Sequence, residues 1–246
     1  MENQNSLTFC KRCAQEISGH YCANCGNATE LRRIDGSYIA NEVSSVLNFD
    51  KGILYTIKEL LIRPGLTVRK FIAEDRNRLV KPVIFIIISS LLYSVLRGAF
   101  KFEDGYVYYD NSIQNTASIM FEWVQNNYGY GNLIMGAFIA LWTKLLFRKS
   151  RYNFYEILIL LCFVMGIGMI ILAVFGAVQG LTDLQVLQFG GILFIVYSTW
   201  AIGKFFDGKK FMSYLKAFFS YVLGLITFSL GIVLIGHLID LMGGIS

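Results

Sequence analysis

The chain has 246 residues, of which 55% are hydrophobic, 15% aromatic and only 16% charged, with two prolines and a formal net charge of +5. A soluble domain of this length could not cover so much apolar surface with polar groups, which excludes a free globular protein and points to an integral membrane protein. The net charge is modest, so the placement of the charges says more than their sum.

The first residues, MENQNSLTFCKRC, lack the apolar core that a signal peptide needs, and the head of the chain is expected to stay in the cytoplasm. Four of the five cysteines fall within the first 25 residues. A reducing compartment keeps such thiols free for metal rather than disulfides. Cys10, Cys13, Cys22 and Cys25 form two tight pairs, each able to cover one edge of a tetrahedron around Zn2+. Phe9 and Tyr21 precede the pairs symmetrically and Gly26 suits the second knuckle turn, the pattern of a miniature zinc ribbon over residues 1–30. So short a segment cannot bury a core of its own, so metal ligation would supply most of its folding free energy. Four thiolates close the coordination sphere, which makes the expected zinc structural; a redox dithiol pair or an iron centre are the alternatives. His20 reads as a solvated loop histidine. Lys11, Arg12, Arg32 and Arg33 read as solvated or lipid-facing charge, and without interleaved aromatic residues nucleic acid is not an expected partner.

Residues 36–81 form a basic, amphipathic hinge. Apolar residues recur at three and four from Tyr38 to Leu47 and again from Ile53 to Leu61, with Asp50 as the expected N-cap and Pro64-Gly65 as the stop. A second short helix sets Leu66, Val68, Phe71 and Ile72 against basic residues. Lys58, Arg63, Arg69, Lys70, Arg76, Arg78 and Lys81 are the candidate membrane-surface residues, suited to anionic headgroups. Packing of the same apolar face on the ribbon or on the helix bundle is the competing expectation.

The runs YCANCG, FDKGILYTIKELLIRPG and VRKFIAEDRNRLVKP, leading into an apolar span, resemble an uncharacterised bacterial inner-membrane family headed by a zinc ribbon, a domain of unknown function numbered 3667. The likeness is specific over roughly Cys10 to Pro82. It implies a cytoplasmic ribbon, an interfacial segment and a multi-span bundle, and it brings no catalytic residues. One departure is Asp75 before Arg76, where a Gly-Lys or Gly-Asp turn is expected.

Five segments reach the length a bilayer requires, roughly Pro82 to Phe100, Asn132 to Phe147, Tyr155 to Val178, Leu187 to Phe206 and Leu215 to Met242. The second is the shortest and carries Lys144. Twelve basic residues precede the first span, and Arg148, Lys149, Arg151, Lys209 and Lys210 fill the second-to-third and fourth-to-fifth loops. The intervening loops are poor in base. Lysine and arginine are retained in the cytoplasm, so this alternation predicts a multi-pass protein of a bacterial inner membrane, N-terminus inside and C-terminus outside. The fold class expected is an all-α integral membrane protein: a five-helix bundle over 82–246 with interfacial helices and a small N-terminal zinc ribbon.

The segment 101–131 is the one sizeable extracytoplasmic piece. Its tyrosines and Trp123 suit a membrane interface, and Ser112 to Asn127 can form a short amphipathic helix. Arg97, Glu156, His237 and Asp240 are the candidate intramembrane polar residues, although all lie near span ends, where anchoring is the commoner role. His237 and Asp240 would share a helix face and could hold a proton or a metal ion. No ionisable residue sits mid-span, which argues against a proton-coupled transporter. Small residues, including Gly176 to Gly180 and Ser220 to Gly224, let helices approach closely and are compatible with a homo-oligomer. Cys162 reads as a small apolar packing residue.

No nucleotide-binding loop, metalloprotease motif or nucleophile elbow is present, so an enzyme is disfavoured. The expected function is a non-enzymatic membrane protein whose bundle handles lipid or a small solute or shapes the bilayer, with the ribbon sensing or recruiting. The alternative is a membrane-anchored adaptor whose ribbon binds a cytoplasmic protein, the spans serving as anchor or oligomerisation platform.

Overall fold

The computed structural model describes residues 8–9, 13, 15–17, 23–24, 52–76, 78–102, 115–182 and 184–243. Contacts divide the chain into two units, Met1–Val46 and Leu47–Ser246. In the first, β1 (Thr8–Phe9) pairs antiparallel with β2 (Glu16–Ile17), Thr8 opposite Ile17 and Phe9 opposite Glu16. The hairpin brackets the first cysteine pair in sequence. Cys13 is exposed; Cys10, Cys22, Cys25 and the helix expected over Tyr38 to Leu47 lie outside the described residues.

The second unit is all-α among its described residues. Two short helices, α1 (Ile53–Ile62) and α2 (Pro64–Ala73), lead into α3 (Pro82–Phe100). There follow α4 (Thr116–Asn126), α5 (Tyr128–Leu146), α6 (Phe154–Thr182), α7 (Leu187–Asp207) and α8 (Phe211–Gly243). Pro64 does not stop the helical path outright. It takes the first position of α2, where its missing N–H would be unbonded anyway, so Arg63 alone breaks the run. Gly52, not Asp50, stands at the N-cap of α1.

Among the described residues four helices, not the five expected, are long and apolar enough to cross a membrane: α3, α6, α7 and α8 up to Met242. The chain is thus a membrane protein by length and composition of its helices. The segment expected as the second span folds as the 19-residue α5. It falls short because its first turn, Tyr128 to Asn132, holds two glycines and an asparagine, and because Thr143 and Lys144 dilute its end.

Side-chain packing fixes the helix directions. Phe85 meets Phe163 and Gly166, and Phe100 meets Gly180, so α3 and α6 run parallel. Gly168 lies under the ring of Phe194 and Gly190 under Phe175, which makes α6 and α7 antiparallel. Gly203 against Tyr214, with Phe194 against Tyr221, does the same for α7 and α8. Finally α5 runs antiparallel to α8: Phe138 packs on Phe228, Gly224 lies against the backbone of Ile139, and the Lys216 ammonium sits 5.8 Å over the Phe147 ring. One end of the bundle therefore gathers the starts of α3, α6 and α8 with the ends of α5 and α7. We call it the hinge end, since α1 and α2 lie there.

The core runs along α6, 67% of whose apolar window is buried against 22% in α8. An apolar sequence all round suits a central helix, whereas α8 shows one side outward. Glycines seat aromatic rings at the α3, α6 and α7 contacts, as the small-residue spacing predicts. Gly191 and Gly231 depart from that expectation, facing open space. Hydroxyls within the bundle turn back on their own helices: Ser89 to Phe85 O, Thr143 to Ile139 O and Thr227 to Leu223 O. Cys162 is buried, as expected of a packing residue.

Candidate functional site at the hinge end

Phe85, near the start of α3, packs beside Phe163, nine residues into α6. Phe85 is itself three residues into α3, so at a rise of about 1.5 Å per residue α6 projects roughly 9 Å beyond the start of α3. The short helices fill that step. Leu60, Val68 and Phe71 are buried there, the Phe71 ring meeting Phe163 edge-on at 5.3 Å. Of the two sequence expectations for the hinge, packing on the bundle is realised for this face. Leu54, Leu61, Ile62 and Leu66 remain exposed, so an outward apolar stripe persists beside Lys58 and Arg63.

The docking is close. The backbone of Gly65 lies against the last turn of α7, where a Cβ would meet Lys204 C at 2.4 Å and Phe205 N at 2.6 Å. Only glycine permits that approach. One turn later, Arg69 Nη1 donates to Lys204 O at 2.9 Å and Phe205 O at 3.0 Å. These are carbonyls of the final turn of α7, and a guanidinium there satisfies acceptors and complements the negative end of the helix dipole. Tyr197 Oη donates to Leu60 O at 3.1 Å, closing the carbonyl end of α1. Thr56 Oγ1 donates to Gly52 O and accepts from Val80 N, joining the start of α1 to the approach to α3.

The basic hinge residues are not equivalent. Lys58, Arg63, Arg76 and Lys81 are exposed. Arg69 is half-buried in the α7 contact. Lys70 lines a cleft with Glu59, Asp75 and Arg78. Arg78 sits 5.5 Å over the Tyr55 ring, and its hydrogen bond to the Tyr55 hydroxyl holds the guanidinium above its ordinary pKa. Asp75 N donates to Lys70 O at 3.1 Å, so the turn after α2 closes without glycine.

The same end holds an arrangement that charge counting alone does not reveal. Lys144 Nζ donates to Tyr152 O at 2.6 Å, folding the α5–α6 loop back so that Tyr152 packs on Phe205. Phe147 stacks flat on Phe206, 3.9 Å between centroids. Around this aromatic floor stand Arg69, Lys149, Arg151, Lys210 and Lys216. Loop lysines and arginines read in sequence as orientation signals thus share one cavity with a hinge arginine. The arginine at 151 is held above its ordinary pKa by its hydrogen bond to Tyr152.

The intramembrane candidates separate. Arg97 donates to Gln125 O at 3.1 Å and lies 5.8 Å over the Tyr128 ring, tying the far end of α3 to the α4–α5 turn. Glu156 Oε2 accepts from Asn153 N at 2.8 Å while Asn153 Oδ1 accepts from Glu156 N at 2.9 Å, a reciprocal cap on α6. Asp240 accepts from Thr116 N at 3.2 Å and from the Thr116 hydroxyl, fastening α4 to α8, while His237 is exposed. The end of one helix was needed to complete the other, which spacing on α8 alone could not reveal. The helix expected over Ser112 to Asn127 begins later, at Thr116, because Asn115 caps it by accepting from Ser118 N at 2.9 Å.

No curated protein and no solved structure matches the chain. Residues 50–94 match the family model described as Protein of unknown function (DUF3667), so the family likeness rests on the docked hinge and most of the span it leads into.

Proposed function

We propose that this is a non-enzymatic, five-span protein of a bacterial inner membrane, N-terminus cytoplasmic and C-terminus extracytoplasmic, whose bundle handles lipid. In this reading Cys10, Cys13, Cys22 and Cys25 hold a structural Zn2+, and the ribbon senses or recruits in the cytoplasm. The crossing of α5 is supported by its antiparallel run against α8, from Ile134 and Phe138 near Phe228 to Phe147 near Lys216. With α5 counted, successive spans alternate in direction and every base-rich loop falls at the hinge end.

The observation that carries the lipid reading is a groove of about 380 Å3 between α4, α5 and α8. Trp123, Ile134, Phe138, Phe228 and Ile232 line it, and at its base Gly231 leaves open space. Its lining is apolar and outward-facing, suited to an acyl chain and not to a hydrated solute. The test is a liposome lipid-scrambling assay alongside a solute-flux assay. The full chain and a chain lacking residues 1–35 are both expected to move labelled lipid. Loss of all activity without the head, together with capture of one specific partner by the purified ribbon, would favour the adaptor reading instead.

A further inference from the structure

A cavity of about 560 Å3 opens at the hinge end between the α5–α6 and α7–α8 loops, a size ordinary for ligand sites. Five cations line it, Arg69, Lys149, Arg151, Lys210 and Lys216, against one carboxylate, Asp207. Asp207 is already engaged, with Oδ2 2.9 Å from Lys210 Nζ and Oδ1 accepting from Lys209 N at 3.3 Å. Four positive charges in the lining are left without a balancing carboxylate there. They arrive from α2, the α5–α6 loop and the second turn of α8, so folding itself gathers like charges that an anion would relieve. Ser150 adds a buried hydroxyl with no hydrogen-bond partner among the described residues.

The surroundings indicate a lipid and not a free anion. Met212 lines the cavity and is 55% exposed, beside Phe211 at 80%. Leu215 and Phe219 continue this outward face along α8 at helical spacing. Headgroup-binding lysines beside an exposed apolar track match an amphiphile with an anionic head. We propose that this cavity binds the phosphate of an anionic phospholipid, its acyl chains lying along Met212, Leu215 and Phe219. The inference rests on the membrane reading above for its ligand, but not on any movement of lipid.

The test uses the purified full chain in neutral detergent, with retention followed by native mass spectrometry and thermal melting. Phosphatidylglycerol is expected to be retained and to raise the melting temperature, while phosphatidylcholine and inorganic phosphate do neither. Lys149→Gln, Lys210→Gln and Lys216→Gln together should weaken phosphatidylglycerol binding at least about tenfold. A Lys101→Gln chain, altered only at an exposed charge at the far end of α3, should bind within about twofold of wild type. Should the triple variant not fold, Met212→Glu places a negative charge at the exposed rim and should weaken binding likewise. Equal retention of both lipids, displacement by inorganic phosphate, or equal loss in the Lys101→Gln control would each overturn the proposal. A chain that scrambles no lipid yet binds phosphatidylglycerol through these lysines refutes the bundle reading and upholds this site. A chain that scrambles lipid but retains both lipids equally does the reverse.

Discussion

Replacing Gly65 by alanine tests whether the hinge is held to α7 by contact or merely lies near it. The added Cβ would sit 2.4 Å from Lys204 C and 2.5 Å from Lys204 O, where ordinary contact begins at 3.4 Å. Both obstacles are backbone atoms in a helix, which cannot swing aside, so α2 must withdraw by about 1 Å. That displacement stretches the Arg69 bonds, now 2.9 and 3.0 Å, beyond hydrogen-bonding range. Overpacking costs about 1–3 kcal/mol, and a lost bond from a charged donor about 1.5–3 kcal/mol before allowance for solvent around a half-buried arginine. A total of roughly 2–4 kcal/mol corresponds to a melting-temperature drop of roughly 5–10 °C for a chain of this size.

The assay is thermal unfolding of the purified chain in detergent, with Gly98→Ala as the control. A Cβ at Gly98 meets nothing within 4 Å, so alanine there only improves helix propensity, by up to about 1 kcal/mol. The same chemical change should therefore act in opposite directions at the two sites. A double variant, Gly65→Ala with Arg69→Ala, should cost less than the sum of the single changes, because the first already detaches the arginine. Gly65→Ala melting with the wild type, or strict additivity in the cycle, would refute the reasoning.

Zinc is expected at one equivalent per chain by elemental analysis, and a Cys22→Ser, Cys25→Ser chain retaining a full equivalent would sink the ribbon. Cysteines introduced at Glu122 and Lys209, in a chain whose native cysteines are serine, should label from opposite sides of the membrane. Labelling from one side would exclude α5 as a span, since these positions flank it and the pair of helices that follow. Thr116→Val removes the hydroxyl that meets Asp240 while keeping the side-chain shape, and should lower stability by about 1–2 kcal/mol. A larger effect from His237→Ala than from Thr116→Val would restore His237 as the working residue of that end.

Helix order was legible because apolar runs bounded by Pro82, by basic loops and by glycines leave few alternatives. The expected segments 82–100 and 187–206 nearly coincide with α3 and α7. The expected break at Pro64-Gly65 is real, but its use is not a property of the local sequence. Period and capping describe α2 as amphipathic without saying that Gly65 lies against residue 204, a contact spanning most of the chain. Charge counting had the same limit. It reads Lys149, Lys210 and Lys216 as marks of one side of a membrane, and cannot report that Lys144 bending the loop onto Tyr152 brings them round one cavity. The Asp240–Thr116 contact was hidden for the converse reason, since a nearer acid–histidine spacing on α8 offered a more obvious pairing.

Arg69 belongs to both structures at the hinge end, and this carries a thermodynamic consequence. Its Nη1 holds two carbonyls of α7, while the same guanidinium, with five donors in all, lines the basic cavity. An anion bound there meets a cation that is in place only while α2 is docked. Binding and docking are then linked, and the linkage is reciprocal: whatever factor docking adds to lipid affinity, lipid adds to docking. Gly65→Ala should accordingly weaken phosphatidylglycerol binding although the glycine lines no part of the cavity, and saturating phosphatidylglycerol should recover part of the lost melting temperature. Phosphatidylglycerol affinity unchanged by Gly65→Ala, in a chain shown by trypsin cleavage at Lys70 to have an undocked hinge, would break that link.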